Sequence, residues 1–153
     1  MAKDELLHER LTESIIAAFY EVYNRLGYGF LEKVYSRALE IELRHRGLQV
    51  RREVKVDIYY RSQFMCSQRI DLLVVEQVVV EVKAADSMPG IAIRQCRAYL
   101  KALALKVGLV LNFGEKPQIK RVIFRGEPMG GTVEVRLRPQ GSPDPGPAHD
   151  AQG

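Results

Sequence analysis

Two neighbouring apolar segments of this sequence each carry an acidic residue in their interior. The segments are residues 68–75 and 78–84, which are rich in β-branched residues and separated by two polar residues, so we predict a β-hairpin. Asp71 interrupts the first segment, and Glu81 and Lys83 interrupt a run of valines in the second. A carboxylate on a buried strand is costly unless it is paired, hydrogen-bonded or bound to a metal. These three residues therefore need an explanation.

Two interpretations of the charged residues are open. In the first, Lys83 forms an ion pair with Asp71 or Glu81 on a solvent-facing side of the sheet. In the second, both carboxylates hold a divalent cation, and their oxygen ligands suit Mg²⁺ or Mn²⁺. The cation requires residue 71 to lie opposite residue 81, with either an odd number of loop residues centred on Glu76 or a bulge. A two-residue turn of Glu76 and Gln77 would place the carboxylates on opposite faces and exclude the metal site.

Two helical segments offer further candidates. Glu32 and Tyr35 share a helical face after Gly29, in the pattern Gly-x-x-Glu-x-x-Tyr. Gln95 and Tyr99 share a face of a later helix. Taken alone, an acid in a first helical turn most often complements the helix dipole, and a helical Gln is most often solvated. These positions gain meaning only together with the hairpin.

Hydrophobic periodicity predicts helices and strands in a definite order. Apolar residues at spacings of three and four indicate helices, with Leu31 and Val34 on the apolar side of the second. Strict alternation around Val54 and Val56 indicates a half-buried strand. The predicted order is helix 5–26, helix 30–46, strand 53–61, the hairpin, helix 89–106, strands 107–113 and 119–124, and an edge strand 132–137. We expect an α/β (α+β) fold, a mixed sheet flanked by helices, with the third helix crossing to a parallel neighbour.

Composition excludes several classes of protein. The net charge of +4 permits a nucleic-acid partner without requiring one. The longest apolar runs are interrupted or shorter than the ~20 residues of a membrane-spanning helix, so we expect no membrane association. Cys66 and Cys96 are far apart without metal-ligand spacing, and no secretory signal is evident, so we expect a cytoplasmic protein. The Pro- and Gly-rich residues 139–153 are expected to form a disordered tail.

Several motifs together resemble the GxxExxY proteins, a group within the PD-(D/E)XK nuclease superfamily. The resemblance covers roughly residues 5–125, and its specificity comes from the order and spacing of the motifs. They are Gly29 to Tyr35, Arg69 to Val74, Val80 to Ala84, Gln95 to Leu100, and Gly108 to Phe113. The resemblance implies a restriction-endonuclease-like αβββαβ core with an extra N-terminal helix. A nuclease-like domain would occupy residues 1–125, followed by an added edge strand within 126–138.

The resemblance also implies roles for the candidate residues. Asp71 and Glu81 would bind Mg²⁺ or Mn²⁺, and Lys83 would position or activate the attacking water. Glu32 would be an accessory metal or water ligand. Gln95 would match a glutamine found in several nuclease branches. The expected activity is metal-dependent hydrolysis of phosphodiester bonds in nucleic acid.

The substrate contacts expected at this site are Arg69, Arg94, Tyr35 and Tyr99. Ala92 departs from the family, whose members often carry a histidine at that position. The alternative is a non-catalytic module that binds nucleic acid or a protein partner through the same cleft. DNA or RNA as the nucleic acid, and a homodimer or a protein partner, stay open.

Overall fold

The predicted order of helices and strands is confirmed in the computed structural model, which describes residues 3–145. Two of the helices are shorter than predicted, and the first strand begins earlier, at Val50. The elements are α1 (Lys3–Leu26), α2 (Glu32–His45), β1 (Val50–Tyr60), β2 (Gln63–Val74), β3 (Val78–Lys83), α3 (Gly90–Leu103), β4 (Val107–Phe113), β5 (Pro117–Ile123) and β6 (Val133–Leu137). None of the helices described between residues 3 and 145 is long and apolar enough to cross a membrane.

The strands form one mixed sheet in the order β5-β4-β3-β2-β1-β6. β2 and β3 pair antiparallel as the predicted hairpin, and α3 carries the chain from β3 to its parallel neighbour β4. β6 pairs antiparallel with β1, so the predicted edge strand is also confirmed. The hairpin with the acidic residues therefore lies in the middle of the sheet, where both of its faces are covered.

Two hydrophobic clusters cover the two faces of the sheet. α1 and α2 pack on one face and α3 packs on the other. The apolar side predicted for α2 is wrong at Leu31 and Val34, which are 78% and 40% exposed, whereas Leu39 and Leu43 are fully buried. Leu31 precedes the helix in an extended conformation, so the helical spacing does not apply to it. The apolar stripe of α2 consequently begins one turn later than its first apolar residues.

An irregularity in the β1–β2 ladder lies beside Asp71. Arg52 pairs with Leu72 and Val54 pairs with Ile70, but the intervening pair, Glu53 and Asp71, is missing from the ladder. Glu53 has a φ of +56°, which is unusual for a residue other than Gly. Ile70 packs on the α3 face while Leu72 packs on the α1–α2 face. On both strands the side chains therefore change from one face of the sheet to the other at this point. Simple alternation does not predict this change.

The described part of the segment after β6, residues 138–145, contacts the rest of the domain. Residues 139–142 form a turn in which the Ser142 amide donates a hydrogen bond to the Pro139 carbonyl. Asp144 then forms an ion pair with Arg138 and lies 3.5 Å from Lys55 Nζ. Residues 139–153 contain no Lys or Arg. The cations that contact Asp144 are Arg138 and Lys55 of β1. Residues 146–153 lie outside the described part of the chain.

Candidate functional site

The hairpin register meets the condition set by the cation interpretation. The β2–β3 pairs are Leu72 with Val80, Leu73 with Val79, and Val74 with Val78. Continuing this register by one residue places Asp71 opposite Glu81. The connecting loop is Val75, Glu76 and Gln77, an odd number of residues centred on Glu76.

This loop adopts a conformation that its residues disfavour. Val75 and Glu76 have φ values of +53° and +55°, a left-handed conformation that costs a β-branched residue about 1–2 kcal/mol. The Gln77 amide closes the turn on the Val74 carbonyl at 3.0 Å. Burial of the valines on both strands outweighs this cost and fixes the register. The strain in the loop is therefore tied to the alignment of Asp71 with Glu81.

Asp71 is held against the neighbouring strand. One of its carboxylate oxygens accepts a hydrogen bond from the Val82 amide at 2.8 Å. The side chain is only half-buried, at the point where the β1–β2 ladder is interrupted. The missing ladder pair and the hydrogen bond across β3 together orient this carboxylate toward Glu81.

Glu81 is the most unusual residue of the site. It is 5% exposed, and its Oε1 atom has no hydrogen-bond partner. Burial raises the pKa of Glu81 well above its ordinary value, and the nearby Asp71 carboxylate raises that pKa further while Lys83 acts in the opposite direction. Buried polar atoms in folded proteins nearly always have partners. An unpartnered carboxylate oxygen beside a second carboxylate is the arrangement expected of a site that binds a cation.

Lys83 ends β3 on the same side as Glu81, and its side chain is half-buried. No salt bridge joins Lys83 to Asp71 or Glu81 within residues 3–145, so the exposed ion-pair interpretation does not describe this site. The chain after Lys83 is fixed by Asn112. The Asn112 side chain accepts from the Ala85 amide at 2.9 Å and donates to the Ala85 carbonyl at 3.0 Å. These two hydrogen bonds position the end of β3. No role for Asn112 was predicted from the sequence.

α3 covers the carboxylates. Tyr99 is 7% exposed, and burial together with the charges of Glu81 and Asp71 raises the pKa of Tyr99 to about 12. At neutral pH its phenol is therefore protonated and can donate a hydrogen bond. The close packing of α3 depends on Gly108 in β4, because a Cβ atom there would collide with the Cys96 sulfur.

The other predicted residues of α3 and β2 face solvent. Gln95 and Arg94 are exposed on α3, one turn before Tyr99. Arg69 is exposed on β2, two residues before Asp71, and its guanidinium lies 3.5 Å from the Glu53 carboxylate. Ala92 is fully buried against the sheet. Within residues 3–145, no hydrogen bond or salt bridge joins Gln95, Arg94 or Arg69 to the two carboxylates.

Tyr35 and Glu32 are placed differently from the predicted site. Tyr35 is fully buried, its hydroxyl donates to the Gly27 carbonyl at 2.6 Å, and its ring stacks on Phe113 at 4.3 Å. It anchors the turn before α2 and presents no surface for a substrate. Glu32 is exposed in the first turn of α2. Across the part of the chain that the structure describes, no group of three or more Asp, Glu, His or Cys residues could hold a metal, so Glu32 does not join the two carboxylates.

Asp71 and Glu81 nevertheless fit a hard divalent cation. Both supply oxygen ligands, and one buried oxygen lacks a partner. Mg²⁺ and Mn²⁺ commonly bind through one or two carboxylates and retain several waters, so a two-carboxylate set is sufficient.

Cys66 is exposed and Cys96 is buried, and both are free thiols.

Comparison with known proteins places this geometry in a family. A family model described as the PD-(D/E)XK nuclease superfamily matches residues 9–122, most of the chain. The chain belongs to the PD-(D/E)XK nuclease superfamily. The matched residues include β2, β3 and α3.

One solved structure supports the superfamily's fold. The crystal structure of SSO0001 aligns with a TM-score of 0.50 at 18% identity, covering 65% of this chain and 52% of that chain. At this identity the likeness concerns the restriction-endonuclease-like fold alone. The chain spans about half the length of the SSO0001 chain. No curated protein matches the sequence.

Proposed function

We propose that this superfamily member is a nuclease of the GxxExxY type that hydrolyses phosphodiester bonds of nucleic acid with Mg²⁺ or Mn²⁺. The observation that carries the proposal is the unpartnered Oε1 of buried Glu81 beside Asp71. A purely structural pair would be satisfied by the protein itself. A buried carboxylate oxygen without a hydrogen-bond partner lowers the stability of the folded protein. Groups perturbed in this way are concentrated at functional sites.

Each residue of the site has a role in this proposal. Asp71 and Glu81 would hold the cation, which when bound lowers the pKa of water and stabilises developing negative charge. Lys83, on the same side of β3 as Glu81, would donate a hydrogen bond from Nζ that positions the attacking water. The neutral Tyr99 phenol would donate to a phosphate oxygen and exclude bulk water beneath α3.

The exposed residues at the border of the site would contact substrate. Arg69 and Arg94 are exposed cations, one on the strand that carries Asp71 and the other on the helix that covers Glu81, and guanidinium groups suit phosphate oxygens. Gln95 would contact the substrate from α3. Glu32 would act only after a movement that brings it to the carboxylates.

A second function is favoured by one observation. Because the pKa of Glu81 is raised, its carboxyl can be neutral and share a proton with Asp71 without any metal. The domain would then be a non-catalytic module that binds nucleic acid or a protein partner. Such a module would bind in the presence of a chelator and would not cleave.

The test is cleavage of labelled single- and double-stranded DNA and RNA with Mn²⁺, Mg²⁺ or EDTA. We expect cleavage that needs the metal, and Lys83→Ala should slow it by about 10²- to 10⁴-fold. Lys101→Ala is the matched control, since Lys101 is an exposed lysine in the last turn of α3. Equal activity in wild type and Lys83→Ala would indicate a contaminant. Binding without cleavage would support the module instead.

A further inference from the structure

A basic pocket lies between α2, β1 and the turn that follows β6. We call it the α2–β1 pocket; its volume is about 380 Å³. Two acidic residues, Glu40 and Glu53, line it together with six basic side chains, of which Arg51, Lys55 and Arg138 pair with Glu76, Asp144 and Asp57. The basic residues are Arg37, Arg44, Arg51, Arg52, Lys55 and Arg138. The proposed nuclease site uses none of these residues.

Glu40 gathers three arginines at the centre of the pocket. It is 6% exposed and forms ion pairs with Arg37, with Arg44 at 3.4 Å and with Arg52 at 3.4 Å. One carboxylate neutralises one guanidinium, so the group keeps a positive excess. The side chains of Arg37 and Arg44 are 56% and 54% exposed, which leaves their outer N–H groups open to a ligand.

The arginines are also held in place by other contacts. Arg44 donates to the Val50 carbonyl at 2.6 Å, and Arg52 lies 3.4 Å from Glu53. Fixing a long side chain before binding reduces the entropy lost when a ligand arrives. Guanidinium groups held in this way suit the paired oxygens of phosphate.

The pocket adjoins the candidate catalytic strand. Glu53, on its rim, occupies the β1 position across from Asp71, and Arg69 of β2 contacts Glu53 at 3.5 Å. A ligand with phosphates at regular intervals would occupy the pocket and extend toward the interrupted ladder at Asp71. A single small anion would fill only one of the two places.

We infer that the α2–β1 pocket binds backbone phosphates of nucleic acid, away from the bond to be cleaved. This inference shares with the proposed function only the nucleic-acid ligand, and it requires no cleavage. The pocket contributes affinity and orientation. Its contribution weakens with salt, since phosphate binding releases condensed counterions.

The experiment is fluorescence anisotropy with labelled single- and double-stranded oligonucleotides in EDTA, over a series of KCl concentrations. The test variant is Arg37→Gln/Arg52→Gln. The control is Arg25→Gln/Arg136→Gln, which removes the same charge from exposed arginines paired with Glu21 and Glu134. We expect the test variant to bind duplex about tenfold more weakly at low salt, with a salt slope shallower by about 2. The control should keep the wild-type slope.

A second variant covers the case in which loss of two arginines unfolds the protein. Lys55→Gln removes a half-exposed lysine from the same pocket, and we expect a slope shallower by about 1. Wild-type slopes in all pocket variants, equal losses in pocket and control variants, or no binding by wild type would each overturn the inference. Cleavage with unchanged pocket variants would leave the proposed function standing. Pocket-dependent binding without cleavage would leave only the inference standing.

Discussion

Two buried carboxylates in this sheet have the same exposure and opposite surroundings. Asp57 on β1 and Glu81 on β3 are each 5% exposed. Both oxygens of Asp57 are satisfied, since Arg138 donates to them at 2.5 and 3.0 Å and the Ser67 hydroxyl donates at 2.6 Å. Glu81 has an oxygen with no partner.

The electrostatics follow these contacts. Hydrogen bonds from Arg138 hold the pKa of Asp57 below its ordinary value, while burial raises the pKa of Glu81. Asp57 is thus stabilised as a charged group by the fold, and it joins β1 to the segment after β6. Glu81 is destabilised as a charged group until something outside the protein compensates it. The comparison teaches that burial alone does not distinguish a structural carboxylate from a functional one; the partners do.

The largest expected difference between variants of Glu81 and Asp57 is in the rate of nucleic-acid cleavage. Glu81→Gln keeps the shape of the side chain but removes a carboxylate oxygen, so we expect activity to fall by about 10³-fold or more. Asp57→Asn makes the same kind of change at the structural site and should leave the rate within about threefold. Both rates are measured under saturating Mn²⁺ at a temperature where each variant is folded. Equal losses of cleavage activity in the two variants would contradict the distinction between a structural Asp57 and a functional Glu81.

The same two substitutions should change stability in opposite directions. Asp57→Asn weakens the bonds to Arg138, and we expect a loss of roughly 2 kcal/mol, a Tm lower by roughly 4–8 °C. Glu81→Gln removes a desolvated carboxylate, so in EDTA at pH 8 its Tm should equal or slightly exceed that of wild type. Thermal unfolding followed by circular dichroism measures both. A lower Tm for Glu81→Gln than for Asp57→Asn would assign the structural role to Glu81.

A smaller effect is expected in acid. Because the pKa of Asp57 is lower in the folded protein than in the unfolded chain, its contribution is complete above the unfolded pKa and is lost as the pH falls through the folded pKa. The difference in Tm between wild type and Asp57→Asn should therefore shrink below about pH 4. A Tm difference that stays constant between pH 6 and pH 3 would show that Asp57 does not act through its charge.

Most of the fold could be predicted from sequence because its signals are local. The valine-rich hairpin and the helix after it predict the order of the elements and the parallel β3–β4 pair. The register of Asp71 with Glu81 was a condition of the cation interpretation, and the alternation of valines left a two-residue turn equally open. The alternation along β1 does not predict that Asp57 is buried, because its partner, Arg138, is 81 residues away in the chain. The change of sheet face at Glu53 was also not predicted, because it depends on how β1 and β2 pack against α1 and α2 on one face and against α3 on the other. Tyr35 matched a motif, but its hydroxyl is used by the turn at Gly27.

Thermal unfolding with and without Mn²⁺ tests most directly whether Asp71 and Glu81 form a cation site. At a Mn²⁺ concentration about 100-fold above its dissociation constant, we expect the Tm of wild type to rise by roughly 5–10 °C. Asp57→Asn should start from a lower Tm and show the same rise, whereas Asp71→Ala should show none. No rise in wild type, or an equal rise in Asp71→Ala, would contradict the cation site.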